Sequence, residues 1–93
     1  MTAKEAEKWG IVNKAVPADQ LDEAVAAELE YFAQAPTKAI GMMKRMLEQA
    51  YNSNLAHMIE VEANYQDIAQ KTKDHTEGAM AFLQKRKPEF KGK

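Results

Sequence analysis

A cluster of aromatic and basic side chains lies near the end of the chain. Phe82 and Phe90 flank residues 85–87, which read Lys-Arg-Lys. Cationic side chains attract phosphate oxygens, and an aromatic ring offers a plane on which a base can stack. This pattern indicates a surface for a ligand that carries phosphates and an aromatic base. The alternative is a solvated helix end, where positive charge complements the helix dipole.

The other residues that could do chemistry are poorly spaced for it. Glu60 and Glu62 are two apart and therefore point to different sides of a helix, so they cannot share an acid–base site. His57 and His75 are far apart in the sequence and have no cysteine near them. A metal site needs three or four convergent ligands, so we expect no metal site. We assign no catalytic residue from the spacing.

Composition sets the class of protein. The chain has 93 residues, of which 45% are hydrophobic, with a net charge of −1 and no cysteine. One small domain is the most that this length allows. The charge disfavours a nucleic-acid or membrane partner, no apolar run is long enough to span a bilayer, and the absence of cysteine suits a reducing cytoplasm. We therefore expect a cytoplasmic protein.

The distribution of helix formers predicts an all-α fold, a small bundle of four to five amphipathic helices. Gly10 and Pro36 mark helix ends, and residues 11–16 form a connector or a single edge strand. Asp19 is predicted to cap the second helix, and Asp74 with Glu77 the last. The helices are expected near residues 3–9, 20–35, 37–51, 55–72 and 75–87.

Apolar residues recur at helical spacing on three of these helices and are expected to face inward. Met42 and Val61 lie off the main stripes. The stripes are wide for a 93-residue core, so we expect part of this surface to pack against further protein or another copy of the chain. The stripe residues are Leu21, Val25, Leu29 and Phe32; Ile40, Met43, Leu47 and Tyr51; and Leu55, Met58, Ile59, Tyr65, Ile68 and Ala69.

Several motifs resemble those of the crotonase superfamily, the enoyl-CoA hydratases and isomerases. They occur in the order in which that family has them, and the resemblance extends over the whole chain. The motifs are TAKEA at 2–6, WGIVNKAVP at 9–17, APTKAI at 35–40 and EGAMAFLQKR at 77–86.

The resemblance implies a position within a longer enzyme. Residues 1–93 resemble the C-terminal α-helical domain, which serves oligomerisation and covers the coenzyme A pocket. The catalytic ββα-spiral core, with its oxyanion hole and glutamates, would be absent, so the chain alone would not be catalytic. The parent enzyme would be an enoyl-CoA hydratase (a lyase) or isomerase of fatty acid metabolism, acting on acyl-CoA thioesters through an enolate.

The resemblance also implies ligand contacts and partners. Phe82 and Lys85 match positions that approach the adenine and phosphates of coenzyme A, and Lys87 and Phe90 match less closely. Coenzyme A would enter as part of the substrate, without a separate cofactor. The parent would be a homo-oligomer, a trimer or a dimer of trimers. The rival hypothesis is a free-standing helical assembly or adaptor module without catalytic activity.

Overall fold

The computed structural model describes all 93 residues, which form helices and turns without strands. The all-α class is therefore confirmed, and residues 11–16 are not a strand. The chain divides into two compact units, Met1–Tyr31 and Phe32–Lys93. None of the helices combines the length and apolar character of a membrane span. The elements are α1 Ala3–Lys8, a 3₁₀ turn Ala18–Gln20, α2 Leu21–Ala33, α3 Thr37–Ala50, α4 Leu55–Gln70 and α5 Lys73–Leu83.

The ends of α1 follow from local side-chain chemistry. Thr2 Oγ1 accepts the Glu5 N–H at 3.3 Å, and Glu5 Oε2 accepts the Thr2 N–H at 2.6 Å. This reciprocal pair satisfies two amide donors that a helix start leaves unpaired. Gly10, with φ +69°, ends the helix in the left-handed region. Both ends lie where the sequence predicted them.

Two predicted caps are wrong. Asp19 lies within the short 3₁₀ turn, and α2 begins after it at Leu21. At α5 the N-cap is Thr72, whose Oγ1 accepts the His75 N–H at 3.1 Å. Asp74 and Glu77 have the spacing of a capping box, but Thr72 is an equally good cap two residues earlier. Their carboxylates are therefore free for another role.

The second unit is built on the packing of α3 along α4, with α5 against α4. The packed face of α3 coincides only in part with the stripe that the sequence predicted, since Ile40 is half-buried whereas Met43 and Leu47 are exposed. Met42, off that stripe, is one of only three buried apolar side chains in the chain. Val61, also off its stripe, is half-buried on α4. The buried and half-buried apolar side chains are Ala39, Ile40, Met42 and Met46 on α3 and Met58, Val61, Tyr65 and Ala69 on α4.

A large part of the predicted apolar stripes points outward. Leu47 on α3 is 68% exposed and Ile59 on α4 is 58% exposed. Periodicity correctly identified which side of each helix is apolar. It could not show which of two apolar sides packs inside this chain, since both are consistent with helical spacing. Isolated apolar side chains on a surface are normal, but a continuous exposed stripe is typical of an interface.

We expect the isolated chain to associate at high concentration, because burying these stripes removes apolar surface from water. Sedimentation velocity over a concentration series measures this. Leu47→Glu should weaken association, whereas Gln49→Glu places the same charge on α3 outside the stripe and should not. A strictly monomeric wild-type chain at every concentration would contradict the expectation.

Candidate ligand-binding turn and strap

The last six residues form a segment without helix or strand, which we call the strap (residues 88–93), and it is held against α5. No backbone hydrogen bond joins two residues of the strap, so its backbone N–H groups need acceptors elsewhere. Two carboxylates of α5, Asp74 and Glu77, provide them. Because residues three apart share a helix face, both carboxylates meet the same side of the strap.

Asp74 anchors the end of the strap. Its carboxylate accepts the backbone N–H of Lys91 at 2.7 Å and that of Gly92 at 2.8 Å. Its own backbone N–H donates to the carbonyl of Lys93 at 2.9 Å. Asp74 is 4% exposed, and this set of partners is what allows a carboxylate to be buried.

Gly92 is required where the strap meets α3. Its φ of +72° lies in the region that other residues rarely adopt. A β-carbon there would also lie 2.6 Å from Thr37 Oγ1 at the start of α3.

Glu77 joins α5, the turn that follows it and the strap. Its two carboxylate oxygens receive the Arg86 guanidinium, with Nη1–Oε1 at 2.6 Å and Nη2–Oε2 at 2.9 Å. Oε1 also accepts the backbone N–H of Glu89 at 2.9 Å. These hydrogen bonds to the ionised form, with Arg86 as the main cause, lower the pKa of Glu77 from 4.5 to about 2.

The basic turn (residues 85–87) begins in a strained conformation. The Lys85 backbone has φ +54°, the only positive φ at a residue other than glycine. The Lys85 N–H donates to the Phe82 carbonyl at 3.2 Å, and the Arg86 N–H donates to the Ala81 carbonyl at 3.0 Å. These two bonds are the Schellman arrangement that ends a helix, in which glycine is the usual residue at the Lys85 position.

This turn corrects the predicted end of the last helix. The sequence pattern extended the last helix to residue 87, and a helix of that length would place Phe82 and Lys85 on one face. In the structure α5 ends at Leu83 with Gln84 as its C-cap, so helical spacing does not relate these two residues. They are joined instead by the hydrogen bond that closes the turn.

The two aromatic candidates are used differently. Phe82 is 83% exposed and its ring is available to a ligand. Phe90 is half-buried, and its Cε1 lies 3.4 Å from where a β-carbon of Gly78 would be. Gly78 precedes Phe82 by one helical turn, so the Phe90 ring lies on the same side of α5 as Phe82. Phe90 therefore fixes the strap, whereas Phe82 offers an open stacking plane.

The three basic side chains of the turn also differ in their contacts. Arg86 is occupied by Glu77, and Lys87 Nζ donates to Gln34 Oε1 at 2.9 Å. A shallow groove runs between the end of α2 and the strap, lined by residues 33–34 and 87–91. Of the predicted contacts, Phe82 and Lys85 lie together at the turn, and Lys87 lies at this groove.

Sequence reasoning missed Gln34, Asp74 and Glu77 as parts of this region. The signal that was present is a pair of acidic residues three apart on a helix, followed by cations. A capping pattern accounted for that pair equally well, and only the path of the strap distinguishes the two uses.

Comparison with known proteins agrees with the sequence resemblance at the level of the family. The profile of the enoyl-CoA hydratase/isomerase family matches residues 1–93. The chain belongs to the enoyl-CoA hydratase/isomerase family. It is 31% identical over 93 residues to 1,2-epoxyphenylacetyl-CoA isomerase of Escherichia coli and 36% identical over 90 residues to a probable enoyl-CoA hydratase of Mycobacterium bovis.

Solved structures of enoyl-CoA hydratases share the fold of this family chain. Subunit I of the Geobacillus kaustophilus enzyme superimposes with a TM-score of 0.88 at 35% identity, and the Bacillus anthracis enzyme with 0.83 at 29%. Each match covers 100% of this chain and 36% of the solved one. The two sequence relatives are covered over 36% and 35% of their lengths. The chain thus spans about a third of the proteins that it matches.

The comparisons contradict one part of the sequence-based prediction. The chain was expected to be the C-terminal region and C-terminal helical domain of a crotonase-type protein. The comparisons instead assign the match to the N-terminal domain, over about 35% of the relatives. Short motifs identify the family, but their order within 93 residues does not by itself fix where those residues lie in a longer chain. The all-α class is unaffected by this correction.

Lys85→Gly should stabilise this family chain. A left-handed conformation costs a residue with a β-carbon about 1–2 kcal/mol, partly offset by the greater freedom of glycine when unfolded. We expect the free energy of unfolding in urea to rise by about 0.5–1 kcal/mol. Lys85→Ala keeps the strain and should change it little. Gly10→Ala should lower stability through strain alone, since a β-carbon at Gly10 meets nothing within 4 Å.

Glu77 should make part of the stability dependent on pH. Because its pKa is lowered to about 2 in the folded state, its contribution is complete above about pH 4.5 and is lost as the pH falls toward 2. Thermal unfolding is followed by circular dichroism between pH 2 and 6. The melting temperature of Glu77→Gln should fall less steeply with decreasing pH than that of the wild type. Glu60→Gln removes a carboxylate from α4 and should retain the wild-type slope. Parallel curves for all three proteins would refute this role.

Proposed function

We propose that this chain is part of an enzyme that acts on acyl-CoA thioesters, by hydration or double-bond isomerisation through an enolate intermediate. The observation that carries the proposal is the family match over residues 1–93. The named relatives include an acyl-CoA isomerase and an enoyl-CoA hydratase. We expect the chain alone to be inactive, because its carboxylates form no acid–base pair and helical termini alone do not make an oxyanion hole.

Within this enzyme, the proposed role of the turn is to bind coenzyme A. Lys85 is exposed and lies one hydrogen-bonded turn from Phe82, whose ring is 83% exposed. A cation and an exposed aromatic ring on one turn suit a phosphate linked to adenine. Lys87 could add a second cation at the groove, while Phe90 supports the strap. Coenzyme A belongs to the substrate, and no further cofactor is invoked.

A second proposed role is assembly. The exposed stripes of α3 and α4, with Leu47 and Ile59 as examples, are surfaces that a larger particle would bury. A homo-oligomer, a trimer or a dimer of trimers, would provide that burial in a cytoplasmic enzyme. The same stripes would suit a free-standing assembly module without catalytic activity. Sequencing the surrounding gene distinguishes the two, because only the enzyme requires further coding sequence for a catalytic core.

Substitutions at the turn test coenzyme A binding in the longer protein that contains residues 1–93. Lys85→Ala should weaken a short acyl-CoA about three- to tenfold through lost phosphate attraction, and the loss should shrink as salt rises. Phe82→Ala should weaken it by about fivefold or more through lost stacking, with little salt dependence. Titration calorimetry at two ionic strengths measures both.

Lys14→Ala is the matched control, since it removes a lysine from the first unit, Met1–Tyr31. Its affinity should equal that of the wild type. Both positions are proposed to contact the carrier rather than the reacting carbonyl, so KM should change before kcat. Unchanged affinity in Lys85→Ala and in Phe82→Ala would show that the basic turn is only a solvated helix end.

A further inference from the structure

Arg86 is built into the protein rather than offered to a ligand. Besides its two bonds to Glu77, its Nε donates to Gln84 Oε1 at 2.7 Å and its Nη1 to the Lys87 carbonyl at 3.3 Å. A guanidinium has five N–H donors, so these four hydrogen bonds use most of them. Its partners lie on both sides of Lys85 in the sequence.

Glu77 is the fixed point of this arrangement. It lies on α5, one helical turn before Ala81, whose carbonyl accepts the Arg86 N–H that closes the turn. The carboxylate therefore holds the side chain of Arg86, and the helix holds its backbone. Lys85 is the residue immediately before Arg86, and its unfavourable left-handed φ persists only if its neighbours are fixed.

We propose that Glu77, acting through Arg86, is a positioning residue for Lys85 and thereby sets the affinity of the turn for the phosphates of coenzyme A. This inference rests on the proposed function of Lys85. A planar bidentate pair fixes both the distance and the orientation of the guanidinium, which a single hydrogen bond does not. Glu77 thus favours binding of an anion although its own charge is negative.

The charge of Glu77 and its positioning role predict opposite changes in affinity when the carboxylate is removed, and this difference can be tested. If Glu77 acted only through its charge, removing the carboxylate would strengthen the binding of a polyanion. If Glu77 positions Lys85, Glu77→Gln should weaken it. Arg86→Lys should also weaken it, because lysine keeps the positive charge but cannot make the planar fork. Glu89→Gln removes a neighbouring charge whose field also reaches Arg86, and it should leave affinity unchanged or slightly raised.

The experiment titrates the longer protein with coenzyme A. We expect the Kd to rise about threefold or more in Glu77→Gln and in Arg86→Lys. In the Glu77→Gln background, Lys85→Ala should cause little further loss of affinity, because a lysine that is already misplaced contributes little to binding. A general loss of folding would not produce this dependence on Lys85.

A second measurement reads the turn without ligand. In the 93-residue chain, amide exchange of the Arg86 N–H reports its bond to the Ala81 carbonyl. Glu77→Gln should speed this exchange while amides in the centre of α4 keep wild-type protection. Unchanged protection at Arg86 would overturn the inference, as would additive effects in the double variant or tighter binding in Glu77→Gln.

The failure of the inference is distinguishable from that of the proposed function. If Lys85→Ala weakens coenzyme A but Glu77→Gln does not, the turn binds the ligand and Glu77 does not position it. If Lys85→Ala has no effect on wild-type affinity, the inference about Glu77 is wrong. If Phe82→Ala has no effect either, the turn does not bind coenzyme A and both proposals are wrong.

Discussion

The hydrogen bonds from the strap to Asp74 and Glu77 are the interaction on which the C-terminal region depends. The six residues of the strap make no backbone hydrogen bonds to one another, and Pro88 and Phe90 are their only half-buried apolar side chains. Charged acceptors make stronger hydrogen bonds to backbone N–H groups than neutral ones. Two carboxylates on one helix face therefore fix the strap, the turn before it and the side chain of Arg86 together.

The helices were predictable because their signals are local. A capping box at Thr2, a glycine at residue 10 and a proline at residue 36 each act within one turn of the chain. The packing faces were not predictable in the same way. Met42 and Val61 face inward while Leu47 and Ile59 face outward, and the choice depends on which partner covers each side. That information is not contained in the periodicity of one helix.

The candidate site was predictable in its residue types and less so in its geometry. Phe82 and Lys85 were identified from their types and from family resemblance, and they do lie together at one turn. The end of α5 was predicted too late because lysine does not favour the left-handed conformation that it adopts here. Arg86 appeared to be one cation among three, since only the folded chain shows that Glu77 occupies it.

Two features of this chain oppose its own stability, and both are consistent with a role in a larger enzyme. A left-handed lysine retains strain that a glycine would remove, and outward-facing apolar stripes leave unburied the surface that most stabilises a small helical protein. Residues that depart from the usual backbone and burial preferences are concentrated at sites that bind a ligand or a partner. In this chain they occur at the proposed coenzyme A turn and on the helix faces proposed for assembly. The departures therefore support the proposed division of roles, with a ligand turn at one end of α5 and an interface on α3 and α4.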